Sequence, residues 1–134
     1  MSPEKKLWKK VKACLPPKTH ATRIENIAGT GVPDSHVCHD GRAVWFELKI
    51  AKANKVSIRP SQIAWNMAYS QAGGISFFLV SRPSKGDLFL FEGGQACDLH
   101  DSGIENVRPV WSGSDLSACV SCALGCATRA ARAV

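Results

Sequence analysis

The run Ala43-Val44-Trp45-Phe46-Glu47-Leu48-Lys49-Ile50 constrains this chain more than any other segment. Its length and apolar content suit a buried strand, roughly 43 to 51. Side chains alternate across a strand, so Glu47 and Lys49 share one face. Asp40-Gly41 separates this run from a shorter strand-like segment, roughly Asp34 to His39, and predicts a tight hairpin. Just upstream, Ala28-Gly29-Thr30-Gly31 turns the chain sharply into Val32-Pro33-Asp34, with Glu25 shortly before. Three acidic groups and one lysine are therefore gathered around a single hairpin. A carboxylate and an ammonium on an otherwise apolar strand are costly to bury without a partner or a use.

The other elements follow from punctuation and period. Residues 3 to 14 read as an amphipathic helix that starts at Ser2-Pro3-Glu4 and stops before Pro16-Pro17. Residues 18 to 31 are mixed and polar, and 52 to 55 form a polar loop. Arg59-Pro60-Ser61-Gln62 opens a second helix. Ile63, Met67 and Ser70, with Ala64, Ala68 and Ala72, predict its apolar stripe, down to a Gly73-Gly74 stop. Ile75 to Ser81 predicts a central strand buried on both faces, and Asp87 to Phe91 another. A loose region leads to an extended run at Val107 to Trp111, and Ser114 is placed as the cap of a last helix from 115 towards Arg132.

The expected fold is thus α/β, with order α-β-β-α-β-β-α and helices packed on a mixed sheet. At 134 residues it is read as one domain: a basic helix over 1–19, a core over 20–92 and a helix-bearing extension over 93–134.

Net charge is +6, and the excess is concentrated at the N-terminus. Lys5, Lys6, Lys9, Lys10, Lys12, Lys18 and Arg23 face only Glu4 in that stretch. Such a segment suggests a polyanion partner, most often nucleic acid, although a solvated helix face has the same composition. No run approaches the length of a membrane span, and the lysine-rich start lacks the apolar core of a secretory signal. The six cysteines do not form a secreted disulfide framework. Cys38 and Cys97 read as small buried hydrophobes. Cys119, Cys122 and Cys126 share a helix face but lack a fourth zinc ligand. A reducing, cytoplasmic setting fits this usage. His36 and Cys38 lie on one strand face and His39 on the other, a poor arrangement for zinc.

Cutting a phosphodiester requires charge neutralisation at phosphorus and an activated water, which a divalent metal provides. Mg²⁺ takes hard oxygen ligands and keeps several waters, so two or three carboxylates suffice. Asp34 and Glu47 can converge across the hairpin, with Glu25 as a further carboxylate and the Leu48 main-chain carbonyl completing the shell. Lys49 can orient water or stabilise developing charge. Taken singly, Asp34 could cap a turn, Glu47 and Lys49 could pair at an edge, and Glu25 could pair with Arg23. Jointly, they favour a site.

Pro33-Asp34 followed by Glu47-Leu48-Lys49 resembles the PD-(D/E)XK nuclease signature. With Arg23-Ile24-Glu25-Asn26, Gly31, Arg59-Pro60-Ser61-Gln62, Trp65 and Ala72-Gly73-Gly74, the segment 20–92 is similar to small phage nucleases related to VRR-NUC domains and Holliday-junction resolvases. The resemblance implies a restriction-endonuclease-like core, with Asp34 and Glu47 as metal ligands and Lys49 as catalytic lysine. It supports Glu25 as an additional acid and Gln62 as a helix residue reaching into the site. Where some relatives carry a tyrosine four residues after that glutamine, this chain has Asn66.

The implied activity is Mg²⁺-dependent DNA cleavage, with Mn²⁺ able to substitute, on branched or duplex DNA. Arg59 is a candidate phosphate contact, and Lys5, Lys6, Lys9, Lys10, Lys12 and Arg23 would hold the backbone. A homodimer is implied for junction cutting, with Trp111, Leu116 and Val120 as candidate surface. No membrane or small-molecule cofactor is implied, and the setting would be a bacterial host cytoplasm if the chain is phage-encoded. The competing readings are a nicking or restriction-like nuclease, a non-catalytic DNA-binding module on the same fold, and a small zinc-binding regulator.

Overall fold

The computed structural model describes residues 1–24 and 30–132, with side chains as far as Gly125. Helix α1, Pro3–Ala13, opens where Ser2 Oγ accepts the Lys5 amide at 3.2 Å. Pro3 occupies its first turn, where a missing N–H costs nothing, and its apolar side is Leu7, Trp8 and Val11. Strand β1, His20–Arg23, pairs antiparallel with β2, Ser35–His39, which pairs antiparallel with β3, Arg42–Ile50. Asp40 and Gly41 carry φ of 51° and 75° between β2 and β3, the pair of positive angles that a tight hairpin of this twist requires.

Helix α2, Pro60–Gln71, crosses over to β4, Ser76–Arg82, which lies parallel to β3. Strand β5, Asp87–Glu92, returns antiparallel, and a 3₁₀ turn at Gly93–Gln95 leads into α3, Ala96–Ser102. Strand β6, Trp111–Gly113, closes the far edge, and α4, Leu116–Arg132, follows. The six strands stand side by side in chain order, and β3–β4 is the parallel pair.

Two hydrophobic clusters cover the two sheet faces. On one, Val37, Val44, Phe46, Leu48 and Leu79 meet Leu7, Trp8 and Val11 of α1 and Cys119, Val120, Ala123 and Leu124 of α4. On the other, Phe78, Val80 and Phe91 meet Val56, Ile58, Leu99 and Ile104, with Ile63 and Met67 of α2 alongside. Each fully buried Leu or Phe contributes about 1.5–3 kcal/mol, so both helical layers are held mainly by apolar burial. The result is a helices–sheet–helices α/β architecture of the restriction-endonuclease-like kind.

Several elements differ from the sequence reading. Residues 20–23 form a strand within the segment taken as mixed and polar. A 3₁₀ turn and α3 occupy the loose region, and the last strand starts only at Trp111. The final helix is capped by Asp115, whose Oδ1 accepts the amides of Ser117 and Ala118, rather than by Ser114. Cys97 is exposed and Cys38 only half-buried. Val120 is 1% exposed, so it belongs to the core and offers no dimer surface. The largest departure concerns α2: Ala64, Ala68 and Ala72 face solvent, while the helix buries Gln62 and Asn66.

Candidate active site

The hairpin register pairs Ser35 with Phe46 and so brings Asp34 against Glu47. The Asp34 amide donates to Glu47 Oε2 at 3.0 Å. The Leu48 amide donates to Asp34 Oδ2 at 3.3 Å, and the Ser35 hydroxyl to Asp34 Oδ1 at 2.8 Å. Glu47 and Lys49 stand on the face roofed by α2, opposite the Phe46 and Leu48 side. Gln62, in the first turn of α2, reaches down between them. Its Nε2 donates to Glu47 Oε1 at 2.6 Å, and its Oε1 accepts from Lys49 Nζ at 2.9 Å and from the Arg59 amide at 2.9 Å. Lys49 Nζ lies 3.9 Å from Glu47 Oε1. A carboxamide suits this place because it offers a donor to the carboxylate and an acceptor to the ammonium.

Gly31 makes this approach possible. At φ 73°, its backbone passes so close to α2 that an added Cβ would lie 2.0 Å from the Ser61 carbonyl oxygen. The turn before Pro33-Asp34 is thereby pressed against the first turn of α2, the turn that carries Gln62.

Electrostatics follow from burial. Glu47 is 5% exposed. Desolvation, then repulsion from Asp34, push its carboxyl up to about 7, with Lys49 opposing. Asp34 is also raised, chiefly by burial, against the lowering effects of the Ser35 hydroxyl and the Arg23 charge. Burial lowers Lys49, and the Glu47 charge works against that shift. Arg23 Nη1 is buried with no hydrogen-bond partner among the described residues.

Two like-charged carboxyls in a dry site, both resisting ionisation, would gain from a cation between them. Their hard oxygens fit Mg²⁺, which commonly uses one or two carboxylates plus waters. Among the described residues, no group of three or more His, Cys, Asp or Glu side chains gathers to hold a metal, so the candidate metal set there is the Asp34–Glu47 pair.

The structure thus brings together Asp34, Glu47, Lys49 and Gln62, with Leu48 contributing its amide to Asp34. Glu25 lies outside the described residues. Arg59 is exposed at the N-cap of α2, where its charge favours the Glu47 carboxylate. Lys5, Lys6, Lys9, Lys10 and Lys12 are exposed on α1, which packs on the opposite sheet face.

Of the charges acting on Lys49, Glu4 is the weakest. It sits in the first turn of α1, and its charge favours the Lys49 ammonium. An acid at that helix position is expected for its dipole alone, so the sequence carried no distinctive signal. A row of half-buried rings also lies beside the site: His36 edge-on to Trp45 at 4.7 Å, Trp45 to Trp65 at 5.7 Å, and Trp65 stacked on Tyr69 at 4.6 Å.

His36 is occupied by that ring contact, and His39 Nδ1 lies 3.1 Å from Thr19 Oγ1. The Cys119 thiol is pushed up to about 12 by burial, which disfavours the thiolate a metal needs. The side chain of Cys126 lies outside the described residues.

The six-stranded sheet, the parallel crossover through α2 and the carboxylate pair beneath that helix define an α/β protein of restriction-endonuclease-like fold. Hjc of Archaeoglobus fulgidus, a Holliday junction resolvase from an archaeal hyperthermophile, is similar in structure. Its TM-score is 0.50 over 66% of this chain and 72% of that one, at 14% sequence identity. At that identity the likeness establishes the fold. No protein-family model matches the sequence, and no curated protein does.

Proposed function

We propose that this chain is a Mg²⁺-dependent DNA endonuclease, with Mn²⁺ able to substitute, acting on branched DNA in the manner of a junction resolvase. One observation carries the reading: Asp34, Glu47 and Lys49 converge on one hairpin beneath α2, Asp34 bonded to Glu47 through its amide and Glu47 joined to Lys49 through Gln62. The fold shared with a Holliday junction resolvase supports it.

In this mechanism the carboxylate oxygens of Asp34 and Glu47 would hold the cation, with Glu25 and the Leu48 carbonyl as further candidate oxygens. A divalent cation bound there supplies charge neutralisation at the phosphate and a more acidic water. Lys49 presents its ammonium to the phosphate oxygens and to the attacking water. Gln62 holds that ammonium in place through its Oε1, and the Glu47 charge favours its charged form. Water adds to phosphorus and gives up a proton to solvent as the bond from phosphorus to the bridging oxygen breaks, and the leaving oxygen takes a proton from solvent. Arg23, whose Nη1 has no hydrogen-bond partner among the described residues, and Arg59, exposed at the N-cap of α2, are the candidate phosphate contacts. The α1 lysines contribute salt-sensitive affinity for the duplex arms. Cutting a four-way junction symmetrically needs two sites related by a two-fold axis, hence a homodimer.

The test is cleavage of a four-way junction, a flap, a single strand and plain duplex, with Mg²⁺ and with EDTA. Asp34→Asn and Glu47→Gln should bind the junction and leave it intact. Cutting by either variant, or by the native chain in EDTA, refutes the site. Preferred cutting of plain duplex would instead favour a nicking or restriction-like enzyme. Tight binding with no cutting under any condition would make the chain a DNA-binding module.

A further inference from the structure

Helix α2 buries two carboxamides against the sheet face that carries Glu47, Lys49 and Ser76, and both are satisfied. Gln62 is 3% exposed, Asn66 0% and Ser76 of β4 4%. Asn66 Nδ2 donates to the Gln62 main-chain carbonyl at 2.8 Å, and Asn66 Oδ1 accepts from the Ser76 hydroxyl at 2.8 Å. The backbone of the 3₁₀ turn closes over this pair at Gly93. A Cβ there would lie 2.0 Å from Ser76 Oγ and 3.0 Å from Asn66 Oδ1. A continuous hydrogen-bonded chain therefore runs from buried Ser76 through Asn66 and Gln62 to Glu47 and to half-buried Lys49.

Stability alone does not call for it. Exchanging a matched polar pair for apolar groups of similar shape is often neutral or favourable. What an apolar contact lacks is direction. Ile63 and Met67, the apolar residues on this side of α2, are only partly buried and would tolerate small rotations of the helix. Successive residues stand about 100° apart around a helix axis, so even a modest rotation carries the Gln62 carboxamide out of reach of Glu47 and Lys49. A hydrogen bond from β4 to one face of α2 removes that freedom.

We infer that Asn66, anchored by Ser76 beneath Gly93, is a positioning residue that sets the rotation of α2 so that Gln62 bridges Glu47 and Lys49. The kinetic arm of its test rests on the endonuclease reading; the spectroscopic arm does not. Asn66→Leu keeps the branched heavy-atom outline, with methyl groups bulkier than the amide they replace, and removes the polarity. It should fold and bind junction DNA in EDTA as the native chain does, yet lose up to about 10²-fold in kcat, the scale on which small misplacements act. Gln62→Ala combined with Asn66→Leu should cut no more slowly than Gln62→Ala alone, because the second residue acts through the first. A native kcat for Asn66→Leu, or additive losses in the double variant, overturns the inference.

The second readout is the side-chain amide of Gln62 by NMR in the metal-free protein. Its hydrogen-bonded resonance should move towards that of a free amide in Asn66→Leu, and an unmoved resonance overturns the inference even if no DNA is ever cut. Should Asn66→Leu fail to fold, Ser76→Ala removes only the anchoring hydroxyl and is held to the same two outcomes. A native chain that cuts nothing refutes the endonuclease reading and leaves the NMR result to decide the positioning role.

Discussion

Glu47 should make the metal-free protein lose stability as pH rises, the reverse of what a surface carboxylate does. Its carboxyl titrates at about 7 when folded, against an ordinary 4.5. The folded state therefore holds the proton more tightly than the unfolded chain. By linkage, that stabilisation is complete below pH 4.5 and is lost as pH climbs through 7. A shift of this size corresponds to at most about 3 kcal/mol, and residual denatured-state structure reduces it. At roughly 3–5 °C per kcal/mol for a chain of this length, Tm should fall by about 10 °C between pH 4.5 and pH 8. The assay is thermal unfolding in EDTA followed by circular dichroism across that range. The same series on Glu47→Gln provides the baseline for every other group in the chain. That variant sits at a different overall level because it cannot accept from both Gln62 and the Asp34 amide, but its slope should be flatter. Added Mg²⁺ should raise native Tm more at pH 8 than at pH 5, because the cation competes with the proton for the same oxygens. Equal slopes in the native chain and Glu47→Gln would refute the desolvated-carboxylate account.

Gly31→Ala should cost at least about 2 kcal/mol, from the positive φ and the approach to the Ser61 carbonyl; denaturant unfolding reads it, and a neutral result would mean α2 does not depend on that close pass. Glu4→Gln should move the alkaline limb of the pH–rate profile to lower pH, because Lys49 loses a charge that favours its ammonium; an unmoved limb separates Glu4 from the site. Replacing Lys6, Lys9 and Lys10 by Ala should flatten the dependence of log Kd on log salt by about 0.9 for each phosphate no longer neutralised. An unchanged slope would take DNA off α1.

The hairpin was legible because its turn and its strand pattern are both local. Asp40-Gly41 names a turn type, and the parity of Glu47 and Lys49 fixes their common face whatever lies above them. Strand β1 was not legible: it has four residues, two of them exposed, and exists through its pairing of His20 with Cys38 and Arg23 with Ser35. Helix α3 buries only Ala96 and Leu99, too few positions for a period to emerge. Helix α2 was legible in extent but misread in azimuth. Its alanines suggested an apolar stripe, whereas the buried side is polar and is satisfied by Ser76 and Glu47, residues distant in sequence. Gln62 and Asn66 are four apart and so share a face. That spacing was present in the sequence, but only the tertiary partners show which face turns inward.

The roof over the carboxylates follows from topology as much as from sequence. Antiparallel strands can be joined by a two-residue turn, but a parallel pair needs a crossover. The β3–β4 pair is parallel, so the chain leaving β3 must pass over one sheet face before β4 begins. The face opposite is filled by α1 and α4, so the crossover helix lies over Trp45, Glu47 and Lys49. Any helix there would desolvate the two charges. A helix bearing only apolar side chains would leave Glu47 Oε1 and the Lys49 ammonium without the hydrogen bonds they now make to it. Gln62 resolves that conflict by answering a carboxylate and an ammonium with one side chain. The polar inner face of α2, the close pass at Gly31 and the Ser76 anchor are thus the consequences of placing a charged pair beneath a parallel crossover.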